Sequence, residues 1–220
     1  MATGGLYISE LPVATTPLSG SELVPIVQGG LNKQTTATAL NALSSPIGVH
    51  AVWVVAGSMT PSFSGGCSPL ATIATGTNLP DIQSLDFSPS VAQFAQFRIR
   101  MPKSWNGGTF TFVPVWCHGS GSTNFDVFWT LQAAAVGNTE TIATAYGTAQ
   151  SSLTIGTSTV NALFAGPESI AITPSGTIQS QDTIFFRVSR DPLQPSDTLT
   201  IDARLIGITV FMTLAAGNDA

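Results

Sequence analysis

The sequence predicts an all-β fold: an antiparallel β-sandwich of the jelly-roll kind, preceded by an extended N-terminal arm with one short helix. Three observations carry this prediction. From Phe87 to Leu214 about eight apolar or alternating segments recur between Gly, Pro, Asn and Asp punctuation, with almost no helical periodicity. Up to Pro80 the charged residues are Glu10, Glu22 and Lys33, and all the others lie from Asp81 on. Charged residues make up 9% of the 220, against about 25% in an ordinary soluble domain. The composition shift divides the chain into an arm, 1–48, and a β-sandwich domain, 49–220.

In the arm, Leu6 to Ile8, Leu11 to Val13 and Leu23 to Val27 read as short extended pieces, kept from helix by Pro12, Pro17 and Pro25. Gly29-Gly30 turns the chain. "TTATALNAL" then gives the helix, with Thr35 or Thr36 as N-cap, Leu40 and Leu43 on one face, and Ser-Ser-Pro at its end.

"HAVWVVAG", residues 50 to 57, opens the body as a strong strand, and 60–80 reads as loop with a little edge strand. In "FAQFRIRMP" Phe97, Ile99 and Met101 face one way, and Gln96, Arg98 and Arg100 the other. "TFTFVPVW" sets Phe110 and Phe112 opposite Thr109 and Thr111, and Pro114 there signals a bulge or an edge. Strands are further expected at 125–136, 151–155, 168–173 and 182–191. The segment 197–214 is long enough for one strand, or for two broken at Gly207.

Few charges leave apolar surface that must be hidden, either in a membrane or against other subunits. The longest apolar run, Ile206 to Ala216, is interrupted by Gly207, Thr209 and Thr213 and falls short of the roughly 20 residues of a spanning helix. Assembly is therefore expected, with no membrane partner. "MATGGLYISELPV" lacks a basic n-region and a continuous h-region, which points to a product made and assembled in a cytoplasm. The net charge of −5, without a basic stripe, argues against nucleic acid as a partner.

Chemistry-bearing residues are sparse. Cys67 and Cys117 are far apart and read as buried thiols. Cys117-His118 supplies two adjacent ligand types where zinc needs three or four, and neighbours on an extended chain point apart, so no metal and no Cys–His nucleophile is expected. Asp126, Glu168, Asp182, Asp191, Asp197 and Asp202 fall at strand ends, where they cap turns or pair with Arg98, Arg187, Arg190 and Arg204 rather than form a hydrolytic pair. No catalytic residue and no cofactor is expected. Trp116 and Trp129 lie in strand patterns as core. Trp105, in "MPKSWNGGT", Asn106 and His118, in the "WCHGSGS" loop, are the candidates for a ligand or interface site.

Several blocks resemble a known group. "FAQFRIRMPKSWNGGTFTFVPVW" (94–116), "FWTLQAAAVGNTETIATAYGTAQ" (128–150), "DTIFFRVSRD" (182–191) and "SDTLTIDARLIGITVFMTLAAGNDA" (196–220) look like tailed-bacteriophage virion proteins that carry a "PKSW" turn and a "DARL…NDA" ending. "ISELPVATTPLSGSELVPIVQGGLNKQTTATAL" (8–40) is similar to the N-terminal stretch of phage fibre and head-fibre proteins. The resemblance implies a non-enzymatic structural protein of the virion surface. It would be a homotrimeric capsid decoration (cement) or head-fibre protein held on the major capsid protein or other virion subunits by its arm. Leu11, Val13, Leu23, Val24, Ile26 and Val27 would be the anchoring side chains. The chain has no long fibre shaft, so a short spike fits as well as a tail fibre. The alternative implied is a tail-fibre or receptor-binding module whose jelly roll holds a host surface glycan.

Overall fold

The computed structural model describes residues 21–44, 48–120, 125–217 and 219, with side chains of 41–44 excepted. The chain divides into two compact units, Met1–Pro46 and Ile47–Ala220.

In the first unit, β1 (Leu23–Gln28) and β2 (Leu31–Thr36) form an antiparallel hairpin in which Gln28 pairs with Leu31. The two-residue loop is Gly29-Gly30, at φ of 63° and 75°. A loop with both residues at positive φ has the twist that two paired strands require, and glycine adopts it without steric cost. That turn makes a strand of residues 31–36, whose polar sequence gave no strand signal. The helix α1 (Ala37–Ser44) follows, and Thr36 Oγ1 caps it by accepting the Ala39 N–H at 3.1 Å. The expected pieces at 6–8 and 11–13 lie outside the described residues.

The second unit is built from β3 (Gly48–Val55), β4 (Thr60–Pro61), β5 (Ala71–Ile73), β6 (Ile82–Phe87), β7 (Gln93–Arg100), β8 (Thr111–Cys117), β9 (Asp126–Val136), β10 (Gln150–Ile155), β11 (Phe164–Ala165), β12 (Thr183–Arg190) and β13 (Ala203–Leu214). One sheet has the order β10-β9-β12-β7-β4, the other β11-β8-β13-β6-β5, with β3 beside β13. From β6 to β13 the first strand pairs the last, β7 pairs β12, β8 pairs β11 and β9 pairs β10, all antiparallel. Nested pairing of this kind, distributed over two sheets, is a jelly roll.

Alternation places the core between the sheets. Phe87, Phe112, Trp116, Trp129, Leu131 and Phe186 are fully buried there. Phe87 meets Trp129 edge-on at 5.1 Å, and Phe97 stacks on Phe186 at 4.9 Å.

One expectation fails, one open choice is settled and one strand is added. Residues 168–173 are not a strand: Ile172 makes one isolated bridge to Phe110, and Ser169 N–H donates to the Phe112 carbonyl, so the segment follows the edge of β8 irregularly. Gly207 does not break the last strand. β13 is continuous, with a register shift between Leu205 and Gly207 facing β8, one to three residues from Ile208, the register partner of Pro114. A Cβ at Gly207 would lie 2.6 Å from the Trp53 ring and 2.7 Å from the Val54 carbonyl oxygen, so the glycine seats that indole. The third concerns β6, which the sequence reading left out and which contributes Leu85 and Phe87 to the core.

Candidate functional site

Each sheet turns one face to the core and one outward, and the two outward faces differ chemically. On the six-stranded sheet, register places Trp53, Thr209 and Val113 in one row, Val55, Gly207 and Val115 in the next, and Ala51, Phe211 and Thr111 in a third. Trp53 is 46% exposed and Val49 70%. Among the described residues the charged side chains of this face lie at its ends, the Arg204–Asp86 ion pair (3.7 Å) at one and Glu168, bonded by the Thr111 hydroxyl, at the other. Between them the surface is apolar or carries threonine.

The outward face of the five-stranded sheet carries rows of Arg100, Thr183 and Val136, then Arg98, Phe185 and Ala134, then Gln96, Arg187 and Gln132. Three of the five arginines of the chain are therefore on one face. The segment after β9 passes over this sheet and sets Ile142, Thr144 and Tyr146 beside Phe185; Gly147 N–H donates to the Ala133 carbonyl and Gln132 Nε2 to the Gly147 carbonyl, each at 2.9 Å, while Ser175, in the chain before β12, bonds the backbone of Ala133 and Ala135. A groove of about 450 Å³ results, lined by Arg98, Arg100, Glu140, Ile142, Thr183 and Phe185. It shares Val136, Ile142 and Phe185 with a second hollow of about 210 Å³ that reaches Gln96, Thr144 and Tyr146. The Arg187 guanidinium lies between the rings of Phe94 (4.6 Å) and Tyr146 (4.8 Å) and donates to Gln132 Oε1 at 2.6 and 3.1 Å. Burial raises the Tyr146 pKa, with Arg187 opposing, so its hydroxyl remains a proton donor at neutral pH.

Of the residues singled out from sequence, two are placed differently from the exposed loop expected. Trp105 is 3% exposed, stacked on Phe110 at 5.3 Å and bridged to Leu214, because the turn folds its indole under the sheet end. His118 is fully buried beside Phe125 and Phe164, and its Nδ1 and Nε2 lie 2.8 Å from the carbonyl oxygens of Ser120 and Thr157, which leaves neither nitrogen free for a ligand. Asn106 alone of the three is exposed, and its Oδ1 accepts the Gly108 N–H at 2.8 Å. In the arm, Leu23 is 63% and Val27 73% exposed, joined by Leu31 at 65%, while Val24 and Ile26 are half-buried. Leu11 and Val13 lie outside the described residues.

Three of the carboxylates singled out have structural roles. Asp197 pairs with Arg190, Asp182 accepts the Gln179 N–H at 2.7 Å, and Asp191 accepts the Leu193 N–H at 3.2 Å. Among the described residues no three His, Cys, Asp or Glu are placed to hold a metal ion, and no helix is long and apolar enough to cross a membrane.

Cys67 and Cys117 are free and buried, and burial pushes their thiols up to about 12 and about 11. An acid raised above its unfolded value of 9.0 ionises more readily in the unfolded chain. Stability contributed by the neutral thiols is therefore complete below pH 9 and falls as pH rises towards 11 to 12. Urea midpoints of the protein and of its Cys67→Ala/Cys117→Ala variant should diverge in slope above pH 9. Parallel pH profiles there would contradict this.

No protein-family model matches the chain, and no curated protein matches it. Among solved structures, a carbohydrate-binding module specific for non-crystalline cellulose is similar over 73% of this chain and 87% of its own, with a TM-score of 0.35 and 11% identity. A likeness of that degree carries no argument about function.

Proposed function

We propose that this chain is a non-enzymatic assembly protein, a homotrimeric surface component of a bacteriophage particle of the decoration or head-fibre type. In this reading the jelly roll packs against copies of itself and the N-terminal unit docks on the capsid or a neighbouring virion subunit. The carrying observation is the uncharged outward face of β3, β13 and β8, on which Val49, Trp53, Val55, Val113, Val115 and Phe211 form one apolar strip. Exposed strips of this kind on a charge-poor chain are covered in the functional state, and a closed cyclic assembly covers them without leaving a sticky remainder.

The arm supports the same reading. A two-stranded hairpin is marginal by itself, and this one leaves Leu23, Val27 and Leu31 mostly in solvent. Burial of three such side chains is worth about 1.5–3 kcal/mol each before ordering costs. Three arms acting together raise the strength of attachment by avidity without any new contact.

The test is deletion of residues 1–46. The remaining jelly roll should stay β-rich by circular dichroism and no longer sediment with phage particles that lack the native protein. If the truncated body still joins particles at full stoichiometry, the arm is not the anchor.

A further inference from the structure

The groove on the five-stranded sheet lies on the face opposite the apolar strip, and nothing in the assembly reading uses it. We propose that it binds a short acidic saccharide, with Phe185 as the stacking floor and Arg98 and Arg100 as the partners of the acid group.

Charge selects the acid. Arg98 and Arg100 make no ion pair among the described residues, where the pairs are Arg190–Asp197 and Arg204–Asp86. Arg100 Nη1 donates to Thr183 Oγ1 at 3.3 Å, which directs its guanidinium along the groove wall. The carboxylate in the groove, Glu140, accepts the Gly137 N–H at 2.9 Å and so is turned into its own loop. Two cations, Arg98 and Arg100, thus line the groove with one anion, Glu140, on a chain of net charge −5. Guanidinium groups donate only, and their planar fork matches carboxylate, sulfate and phosphate alike.

Shape and surface chemistry select a saccharide. The floor is the half-exposed ring of Phe185, with Arg98 on one side of its row and the buried Ala134 on the other, and that ring offers its face to the C–H face of a sugar. Thr183, Thr144 and Tyr146 line the two hollows beside it. An extended peptide would seek main-chain hydrogen bonds, but β12 pairs along its full length with both β7 and β9, so the floor offers side chains alone. A nucleic acid would need more phosphates neutralised than this groove provides, against the charge of the whole chain. The combined hollows fall within the usual size of small-ligand sites, about 300–1,000 Å³.

The test uses the full-length protein on a panel of immobilised oligosaccharides bearing sialic acid, uronic acid, sulfate or phosphate, each printed beside its neutral parent. Binding to at least one acidic series is expected at about tenfold or more over its parent. The series retained identifies the acid as carboxylate, sulfate or phosphate. Arg98→Gln/Arg100→Gln and Phe185→Ala should each weaken it about tenfold or more, while Lys103→Gln, which removes an exposed charge outside the groove, leaves it unchanged. Phe185→Leu replaces Phe185→Ala if the melting temperature of the latter falls. Retention of no acidic glycan, equal binding to neutral parents, or undiminished binding by Arg98→Gln/Arg100→Gln overturns the proposal. None of these results bears on the assembly reading, whose test is particle association.

Discussion

Asp197→Ala is expected to lower the stability of the jelly roll by about 3–5 kcal/mol, a large part of the roughly 5–15 kcal/mol of a typical domain. The Asp197 carboxylate accepts Arg190 Nη2 at 2.7 Å and Nε at 3.0 Å, and its Oδ2 also accepts the Phe128 N–H at 3.0 Å. The Arg190 and Asp197 side chains are 0% and 1% exposed. Arg190 further donates to the carbonyls of Phe87 (3.2 Å), Ile201 (2.8 Å) and Leu199. One guanidinium thus ties β6, β12 and the turn that returns the chain to β13. Removing the carboxylate strands a buried cation and leaves the Phe128 N–H without that acceptor, which costs far more than the pair contributes over an apolar replacement. Chemical denaturation of the two proteins measures the difference. A loss below about 1 kcal/mol, the scale of an exposed ion pair, would mean that the pair is hydrated in solution.

Trp129→Ala, as a single substitution, is expected to cost about 3–5 kcal/mol, from lost burial and the cavity left behind. Trp129 is fully buried on β9, opposite Arg190 in register, and takes the edge contact with Phe87. Since Phe87 also supplies a carbonyl to Arg190, both substitutions loosen the same corner of the core. The double variant, if it folds, should lose less than the sum of the single losses, because contacting sites couple. Denaturation midpoints of the four proteins give the coupling, and strict additivity would show that the two sites are independent.

How far the sequence was readable depends on whether local pattern or distant pairing set the outcome. Alternation in "FAQFRIRMP" turned Arg98 and Arg100 away from Phe97, and the structure puts Phe97 in the core with both arginines exposed. Thr36 and Gly29-Gly30 acted through neighbours within three residues, so cap and turn were legible. The groove was not, because it depends on Phe185 standing opposite Arg98 across 87 positions of chain and on the 137–147 segment lying over Ala134. Strand register of that range leaves no local mark. Trp105 and His118 failed for the converse reason. Their polar, glycine-rich neighbours signalled a loop correctly, but a loop's polarity does not fix where one large side chain points. Gly207 suggested a break, and its role became visible only once β3 laid Trp53 over it.

The most direct test of the assembly account is the light-scattering mass of the full-length protein, alone and after mixing with phage particles that lack it. The account predicts three times the 22.7 kDa chain mass, reduced to a single chain by Trp53→Asp/Val113→Asp, and transfer of the wild-type trimer into the particle fraction. A stable 22.7 kDa monomer that leaves the particles untouched would contradict it.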